Sequence, residues 1–427
     1  MSSTTPDRML ETRAPVVEFA ATNALLDLFT PSGWVDPHRS YAALREHSPV
    51  YPISSRSVLV TGYEACSEVL LDPRRFHVPD KDYADRALAG WRDHPAVVAL
   101  YNILLYQNPP DNLRARRLLL RMFTGANVVA LRSLFERHAA AGADLEPREQ
   151  DGIADATHSF TTIPNAVIAE LCGIPPSDIP FVFSLLDSAG FAYNPHNPPD
   201  PGLAAANTKA EQLDAYIRNR MLPGQRHGGG GIVAELARDW PAEDEDGLAG
   251  TIAFLFAAGA VTTVSLLGAG IAALCEQPGL LPRLRTDDAL LASFVQEIVR
   301  YDPPVQLGTR FAVADTTLNG MRIPQDTTVL VCYGALGRDP AHFPEPDTFR
   351  ADRFRTGGVD PRRILSFSTG THRCVGAAFA LTVAEAAFRA LAQRYDSVRL
   401  AAPPQRENSS VVRTFTRLEV VAEPRRK

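Results

Sequence analysis

The sequence predicts a mainly α-helical protein with a minor β component. The first observation is a long, almost uninterrupted apolar segment at 243–275. The second is helical spacing of apolar residues in many other segments, namely 37–47, 63–71, 128–141, 158–172, 180–189, 204–220 and 377–392. The third is a small set of segments with strand-like patterns, at 50–61, 317–323, 327–331 and 411–421.

The 427 residues, 45% of them hydrophobic, could in principle form two or three domains. No internal repeat or glycine-serine linker divides them, so we predict a polar leader at 1–22 and one large domain at 23–427. Four glycines at 228–231 are the only candidate break, and we interpret them as a surface loop. The four prolines within 194–201 predict a second exposed loop.

Composition excludes several classes of function. A formal charge of −6 and a pI near 6.0 give no support for nucleic-acid binding. Five scattered cysteines, an odd number, fit a reducing cytoplasm better than a disulfide framework. The first 19 residues carry several charges and no long apolar core, which predicts neither a signal peptide nor a membrane anchor.

The segment 243–275 begins with four acidic residues, which favour a helix N-terminus, and then becomes apolar. By length it could span a membrane, but Gly259, Thr262 and Thr263 interrupt it and no second such segment exists. We therefore predict a buried central helix. Gly259 weakens a helix interior, so we expect it to relieve crowding beside a flat cofactor or to open the helical hydrogen bonding.

Cys374 lies between Gly370 and Gly376, just before the alanine-rich segment 377–392. A thiol at a helix start is expected to favour the thiolate, the form that binds metals. The flanking glycines permit positive φ and close backbone approach to a flat cofactor. An arbitrary free cysteine is more often a small buried hydrophobe, but this context favours a metal ligand.

The spacing of Phe367, Gly370, His372, Cys374 and Gly376 closely resembles the haem-binding loop of the cytochrome P450 family. The resemblance implies a haem-thiolate catalytic domain of the soluble bacterial type that binds haem b (iron protoporphyrin IX). It implies a long central helix over the haem and a helix after the cysteine beneath it. By resemblance, Cys374 is the axial iron ligand, Phe367 packs by the sulfur and His372 contacts a haem propionate.

Three further positions resemble the family's propionate contacts or depart from them. Related soluble enzymes carry a histidine and, four residues later, an arginine on one helix; these positions are Asn112 and Arg116 here. Asparagine supplies a neutral hydrogen bond but no charge. Arg310 matches the second propionate arginine. The alternatives are a solvated helix face for Arg116 and a surface strand arginine for Arg310.

Residues 258–263 match the family's oxygen-binding helix, in which Thr262 takes the place of the threonine that helps to protonate dioxygen. Beside it the family usually has an acid, whereas this chain has Val261, so the acid–alcohol pair is incomplete. Thr262 and Thr263 could instead only bond back to carbonyls one turn earlier.

Glu297 and Arg300 form an ordinary helical i, i+3 ion pair when taken alone. Together with Arg353 they match the family's buried Glu-x-x-Arg network, and we predict a structural role for all three.

Pocket candidates by resemblance are apolar or small, which implies a lipophilic substrate of moderate size: Trp91, Leu100, Phe254, Ala258, Val261, Leu307, Gly308 and Phe415. Part of this set falls in the segment 78–106. The family uses that region to roof the pocket, but its pattern alone favours an irregular connection.

Three functions are open at this point. The first is a monooxygenase that uses O2 and electrons from a ferredoxin or flavodoxin with its reductase, in secondary metabolism. The second is a haem-thiolate enzyme for ring closure, coupling, rearrangement or peroxide use, and Val261 keeps it open. The third is a haem protein that binds a ligand without turnover, against which Thr262 and the roof segment count.

Overall fold

The computed structural model describes residues 15–147, 152–186, 202–225 and 231–426. The predicted loop 194–201 and three of the four glycines at 228–231 lie outside the described residues, as does most of the predicted leader.

Helices dominate the described chain, and strands form a minor part. The α-helices are α1 Pro15–Asp27, α2 Pro31–Val35, α3 His38–His47, α4 Tyr63–Leu71, α5 Lys81–Ala87, α6 Pro95–Asn102, α7 Asn112–Met122, α8 Gly125–Ala130, α9 Arg132–Gly142, α10 Thr157–Cys172, α11 Ile179–Ser184, α12 Gly202–Tyr216, α13 Leu222–Gln225, α14 Ile232–Asp239, α15 Glu245–Cys275, α16 Leu280–Thr286, α17 Asp288–Tyr301, α18 Tyr333–Leu336 and α19 Ala377–Arg394. The strands are β1 Val50–Ser54, β2 Ser57–Val60, β3 Phe76–His77, β4 Ala154–Asp155, β5 Leu307–Ala312, β6 Thr316–Leu318, β7 Met321–Ile323, β8 Thr328–Cys332, β9 Tyr395–Leu400, β10 Gln405–Arg406, β11 Phe415–Arg417 and β12 Glu419–Pro424. The predicted fold class is confirmed.

The 31-residue helix α15 is the axis of the fold. It begins where the Asp244 carboxylate accepts a hydrogen bond from the Gly247 N–H at 3.0 Å, an N-cap that satisfies a free helix donor. It packs against α10, α17 and α19. Within the described residues it is the one helix long and apolar enough to cross a membrane, but 61% of its most apolar stretch is buried inside the protein. The prediction of a buried central helix is confirmed.

A five-stranded sheet in the order β1-β2-β8-β5-β3 places β5 near one edge. The pair β2 and β8 is parallel, and the other pairs are antiparallel. Because side chains alternate along a strand, Gly308 and Arg310 share one face of β5, and Leu307 and Phe311 share the other. The sheet therefore divides predicted site residues between its two faces.

The roof segment 78–106 contains helices that its pattern did not predict. Apolar residues of α5, α6 and α12 form a small hydrophobic cluster of their own, including Leu88, Trp91, Tyr101 and Leu203. Helix α6 packs on α12, which lies about 100 residues later in the chain, and such packing leaves no continuous period in the local sequence. The structure thus corrects the irregular connection that we expected from the pattern.

Three boundaries differ from the sequence expectations. The predicted helix 128–141 is two helices that meet at Leu131. Of the predicted strand 411–421, only β11 and the start of β12 are extended pairs. Helix α1 starts inside the predicted leader, and Ala21 is 1% exposed in a cluster with Tyr41 and Leu44. The packed domain therefore begins before residue 23.

A buried ionic cluster fixes the C-terminal segment. Asp302 accepts hydrogen bonds from Arg406 at 2.6 Å and from Arg413 at 2.8 Å, and Arg413 also donates to the Trp34 carbonyl at 2.6 Å. Burial raises the pKa of Asp302, but the two arginines outweigh burial and hold it well below its usual range. Arg413 thus ties the N-terminal and C-terminal parts of the chain together.

Candidate functional site

The loop 364–376, here called the cysteine loop, is held by several neighbouring elements. The Cys374 N–H donates to the Phe367 carbonyl at 2.8 Å, which closes the loop on itself. The Ser366 hydroxyl donates to the Val299 carbonyl of α17 at 2.9 Å. These bonds place the Phe367 backbone beside the Cys374 backbone.

The two flanking glycines behave differently. Gly370 has φ +66°, and a Cβ built on it would lie 2.6 Å from the Leu70 carbonyl oxygen of α4. No other residue type fits there without strain. Gly376 has φ −95°, and nothing lies within 4 Å of a Cβ built on it. Positive φ is therefore required only at Gly370, whereas Gly376 borders open space next to Cys374.

The Cys374 side chain is solvent-accessible although it lies deep in the molecule. Burial raises the pKa of its thiol, while the Gly376 N–H and the charges of Arg116 and Arg373 lower it less. Burial thus outweighs these favourable contributions when no metal is bound. A bound metal cation would reverse this balance, because coordination removes the thiol proton.

Two arginines come to the cysteine loop from distant elements. Arg116 of α7 donates to the Arg373 carbonyl at 2.6 Å. Arg310 of β5 is 5% exposed and donates to the Thr309 carbonyl at 2.8 Å. Neither forms an ion pair with any acidic side chain of the described residues. Two guanidinium groups without acidic partners form a site for anionic groups.

His372 lies among these cations. Burial, with further contributions from Arg310, Arg116 and His77, lowers the pKa of His372 to about 3. Its imidazole is therefore neutral at physiological pH and offers one N–H donor.

Sequence reasoning missed His77 entirely. It lies on the two-residue strand β3, opposite Phe311 of β5. Asn108 fixes this segment by accepting from the Val78 N–H at 3.0 Å and donating to the Val78 carbonyl at 2.9 Å. No local sequence signal marks a histidine whose position depends on pairing with a strand more than 200 residues away.

Asn112 is fully buried one helical turn before Arg116, and its Oδ1 atom has no hydrogen-bond partner among the described residues. An unsatisfied buried amide oxygen is unfavourable by roughly 1–3 kcal/mol. An amide here can complete its hydrogen bonding with a polar group of a bound cofactor.

The donor set fits a haem. Within the described residues no three His, Cys, Asp or Glu side chains cluster to hold a bare metal ion. A metal on Cys374 would therefore bring its other ligands in a macrocycle. The unpaired Arg116 and Arg310 and the His372 donor match a group that carries two carboxylates.

The middle of α15 has a partly exposed face formed by Phe254, Ala258, Val261 and Thr262, although the helix is otherwise buried. The Thr262 hydroxyl donates to the Ala258 carbonyl at 2.7 Å. It therefore keeps its acceptor lone pairs for a water or a substrate. The face is apolar except for this one hydroxyl.

Thr263 does not lie on this face, whereas Gly259 beside it is partly exposed. Thr263 is 1% exposed, and its hydroxyl donates to the Gly259 carbonyl at 2.7 Å. A Cβ built on Gly259 would lie 2.3 Å from Cδ1 of Ile168 in α10. Gly259 thus permits close packing of α10 on α15. That Gly259 relieves crowding beside a flat cofactor, or opens the helical hydrogen bonding, stays a prediction.

The two predicted pocket residues of the roof segment, Trp91 and Leu100, lie in different places. Trp91 donates its indole N–H to Asp85 at 2.9 Å and packs in the cluster of α5, α6 and α12. It is a core residue and not part of the pocket. Leu100 is buried on α6, which packs on α15 near Gly250.

Strand β5 also divides its predicted pocket residues. Leu307 packs with Leu59 and Tyr41 on the side of the sheet that faces the N-terminal helices. Gly308 lies on the opposite face with Arg310. Leu307 is thus on the wrong face for a shared pocket, since neighbouring strand residues point in opposite directions.

Phe415 is 5% exposed and packs against Gly268 of α15, where a Cβ would lie 2.8 Å from its ring. This contact is more than one helical turn beyond Thr262, so Phe415 is a core residue. In place of Phe415, Val411 is the residue of the C-terminal segment that lies beside the start of β5. Its carbonyl accepts a hydrogen bond from the Gln306 N–H at 2.8 Å.

Glu297, Arg300 and Arg353 come together in the core. The Glu297 carboxylate accepts two hydrogen bonds from Arg300, both at 2.7 Å, and two from Arg353 at 3.0 and 3.1 Å. The arginines donate further to backbone carbonyls of the 337–348 region, including that of Thr348. This network fixes the long irregular segment that precedes the cysteine loop.

Comparison with known proteins decides the family. Residues 241–420 match the family model described as Cytochrome P450. The 6-deoxyerythronolide B hydroxylase of Saccharopolyspora erythraea is 33% identical, over 88% of this chain and 92% of that protein. The chain is a cytochrome P450. Membership confirms that this P450 is an oxidoreductase of the monooxygenase class, with a haem-thiolate cofactor, that uses O2 and a redox partner.

Solved structures of similar fold include two further P450 enzymes. P450BioI in complex with an acyl carrier protein that carries hexadec-9Z-enoic acid has a TM-score of 0.82 at 26% identity, over 92% of this chain and all of that one. CxnD, an enzyme for C–S bond formation in chuangxinmycin biosynthesis, has a TM-score of 0.81 at 27% identity, over 93% and 98% of the two chains. Similar folds thus serve different reactions.

We expect Arg310→Ala to release haem faster than Asn112→Ala does. Hydrogen bonds to charged groups contribute about 1.5–3 kcal/mol and neutral ones about 0.5–1.5 kcal/mol. Arg310→Ala should therefore raise the rate of haem transfer to an excess of apomyoglobin by roughly tenfold or more. Arg322→Ala, which removes an exposed strand arginine paired with Asp315, is the control. The reverse ranking of Arg310 and Asn112 would place the propionates elsewhere.

Proposed function

We propose that this P450 oxidises a lipophilic small molecule of secondary metabolism, at a haem b whose iron Cys374 ligates. The observation that carries the proposal is the face of Phe254, Ala258, Val261 and Thr262 on α15, which is apolar with a single hydroxyl. Such a face binds an apolar substrate and offers one polar group to orient it. The 6-deoxyerythronolide B hydroxylase, a relative that matches most of the chain, supports a hydroxylation.

The cofactor proposal rests on the residues around the cysteine loop. When bound, a thiolate-ligated haem iron supplies the activation of dioxygen. Arg116, Arg310 and His372 would bind its propionates, with Asn112 as a neutral partner. No Cys-x-x-Cys-His motif for covalent attachment occurs in the sequence, which favours haem b.

Thr262 would hold the water that supplies protons. Because its hydroxyl donates to the Ala258 carbonyl, it can accept a hydrogen bond from a water molecule beside it. Residues 247–275 contain no charged side chain, so Val261 has no acidic neighbour on the helix to replace the missing acid. The proton must therefore reach Thr262 through ordered water or from a polar group of the substrate.

We expect Thr262→Val to uncouple the enzyme. Electrons should be consumed and peroxide released, while product per electron falls. A positioned proton-transfer group contributes about 10²–10⁴-fold, so we expect product formation to fall roughly 100-fold. The measurement is product formed per electron consumed, with any substrate that shifts the spin state of the purified protein.

Thr263→Val is a matched control for this experiment. It removes a hydroxyl with the same 2.7 Å bond one turn back, but on the buried side of α15. Equal effects of the two changes would mean that the hydroxyls act only through helix geometry.

A second function remains open because of Val261. Ring closure, coupling or rearrangement depends less on an ordinary proton relay, and the C–S bond-forming CxnD is a structural neighbour. Full coupling in Thr262→Val would favour this alternative over hydroxylation. A haem protein without turnover is at odds with the monooxygenase class of the family.

We propose a ferredoxin or flavodoxin with its reductase as the electron donor. Arg362 of the cysteine-loop region is paired with Asp360 at 2.6 Å, which neutralises much of its charge. Arg114 and Arg117 of α7 are exposed near Arg373, and none of the three has an acidic partner among the described residues. These three form the docking surface for an acidic protein.

We expect the rate of reduction by such a donor to fall as ionic strength rises, because screening weakens attraction between exposed charges. Arg114→Gln with Arg117→Gln should lower the rate at low salt and flatten its salt dependence. Arg137→Gln, at an exposed arginine paired with Glu170, is the control. A wild-type rate independent of salt would reject this docking surface.

A further inference from the structure

Ser368 of the cysteine loop has a left-handed backbone, with φ +58°. The left-handed region of φ and ψ disfavours residues other than glycine, because their Cβ atom approaches the following carbonyl oxygen. Gly370, two residues later, is left-handed as well. The loop therefore has two left-handed residues just before Cys374. One of them, Ser368, has a side chain that makes this conformation unfavourable.

Tyr333 supplies a contact that holds this turn. Its hydroxyl donates to the Ser368 Oγ atom at 3.2 Å, which is longer than most O–H···O hydrogen bonds. Tyr333 is 6% exposed and follows β8 directly. The bond joins the five-stranded sheet to the cysteine loop across 35 residues.

The position of the Tyr333 ring is fixed by β5. A Cβ built on Gly308 would lie 2.6 Å from Cε2 of Tyr333, so the ring occupies the space that any larger residue at 308 would need. Gly308 and Arg310 are on the same face of β5. The ring thus lies on the strand face that also carries Arg310.

We propose that Tyr333 and Ser368 are positioning residues for the Cys374 sulfur. The Phe367 carbonyl, which accepts the Cys374 N–H, belongs to the peptide that leads into Ser368. A rotation of Ser368 out of its left-handed conformation moves this carbonyl and so redirects the cysteine. The bond from Tyr333 holds Ser368 in place and sets the loop relative to Arg310. This inference rests on the proposed ligation by Cys374.

The experiment follows the red-shifted Soret band of the reduced carbon monoxide complex, which reports thiolate ligation. Its rate of loss is measured under mild denaturing conditions in Tyr333→Phe, Ser368→Ala, the double variant and Tyr301→Phe. Tyr333→Phe keeps the ring against Gly308 and removes only the hydroxyl. Tyr301→Phe is the matched control, because its hydroxyl donates to an exposed backbone carbonyl at 3.3 Å. Global unfolding is measured in parallel by far-ultraviolet circular dichroism.

We expect each single variant at 333 and 368 to lose the band roughly fivefold faster than wild type, the effect of one ordinary hydrogen bond. The double variant should be no faster than a single one, because both changes remove the same bond. Three results would each overturn the inference. The first is a wild-type rate of band loss in Tyr333→Phe, and the second is a rate in the double variant equal to the product of the two single effects. The third is band loss that only follows global unfolding. A wild-type protein without the red-shifted band would instead reject ligation by Cys374.

Discussion

Cys374→Ala is expected to abolish the red-shifted Soret band of the reduced carbon monoxide complex and to reduce product formation to background. Alanine leaves the loop without a thiol, and the red-shifted band requires a thiolate ligand on the iron. Absorbance spectra of the purified variant, reduced and exposed to carbon monoxide, check this result. Haem content measured on the same sample separates loss of ligation from loss of the cofactor.

Cys275→Ala is the control for this change. Cys275 is a free, partly exposed cysteine at the end of α15, so its loss should leave the band unchanged. If Cys374→Ala retained the red-shifted band, the iron ligand would be another residue. This conclusion would hold whether or not the variant formed product.

Glu297→Ala is expected to have the largest effect on stability. It leaves Arg300 and Arg353 buried, at 0% and 2% exposure, without a counter-charge. Breaking a buried ion pair by removing one partner is destabilising by about 3–5 kcal/mol, a large part of a typical unfolding free energy of about 5–15 kcal/mol. The midpoint and slope of urea unfolding measure the change.

Glu68→Ala removes one of the two acidic partners of Arg75, the other being Asp72, in a partly exposed ion pair that should contribute less than about 1 kcal/mol. The contrast tests whether burial of the charges, and not their number, sets the effect. A loss in Glu297→Ala no larger than in Glu68→Ala would mean that backbone carbonyls alone satisfy the two arginines.

Local patterns predicted the helices that have a continuous apolar face. Helix α4 begins and ends at the predicted residues, and α10 and α15 differ from prediction by only one or two residues at their starts. The prediction for the segment 78–106 failed because its helix α6 packs on α12 from far along the chain, and that long-range packing leaves no period in the local sequence. Local sequence patterns therefore predicted helices correctly only where a helix packs one continuous face against the core.

Side-chain direction was the part of the site that sequence could not supply. Leu307 and Gly308 are neighbours in the chain, yet they lie on opposite faces of β5. The contact of Gly259 with Ile168 could not be predicted either, because the direction of a residue around a helix depends on which neighbouring helix packs on which side. His77 and Tyr333 reach the site only through strand pairing and carry no motif that would single them out.

The contrast between Gly259 and Val261 has a consequence for evolution. A methyl group at position 259 would lie 2.3 Å from Cδ1 of Ile168, so a larger residue there requires the Ile168 side chain to move. Position 261, two residues away, is partly exposed on the pocket face and has no such restriction. Valine differs from aspartate and glutamate at the middle base of the codon. A lineage with this scaffold can therefore exchange its proton source by a single mutation and leave the core unchanged.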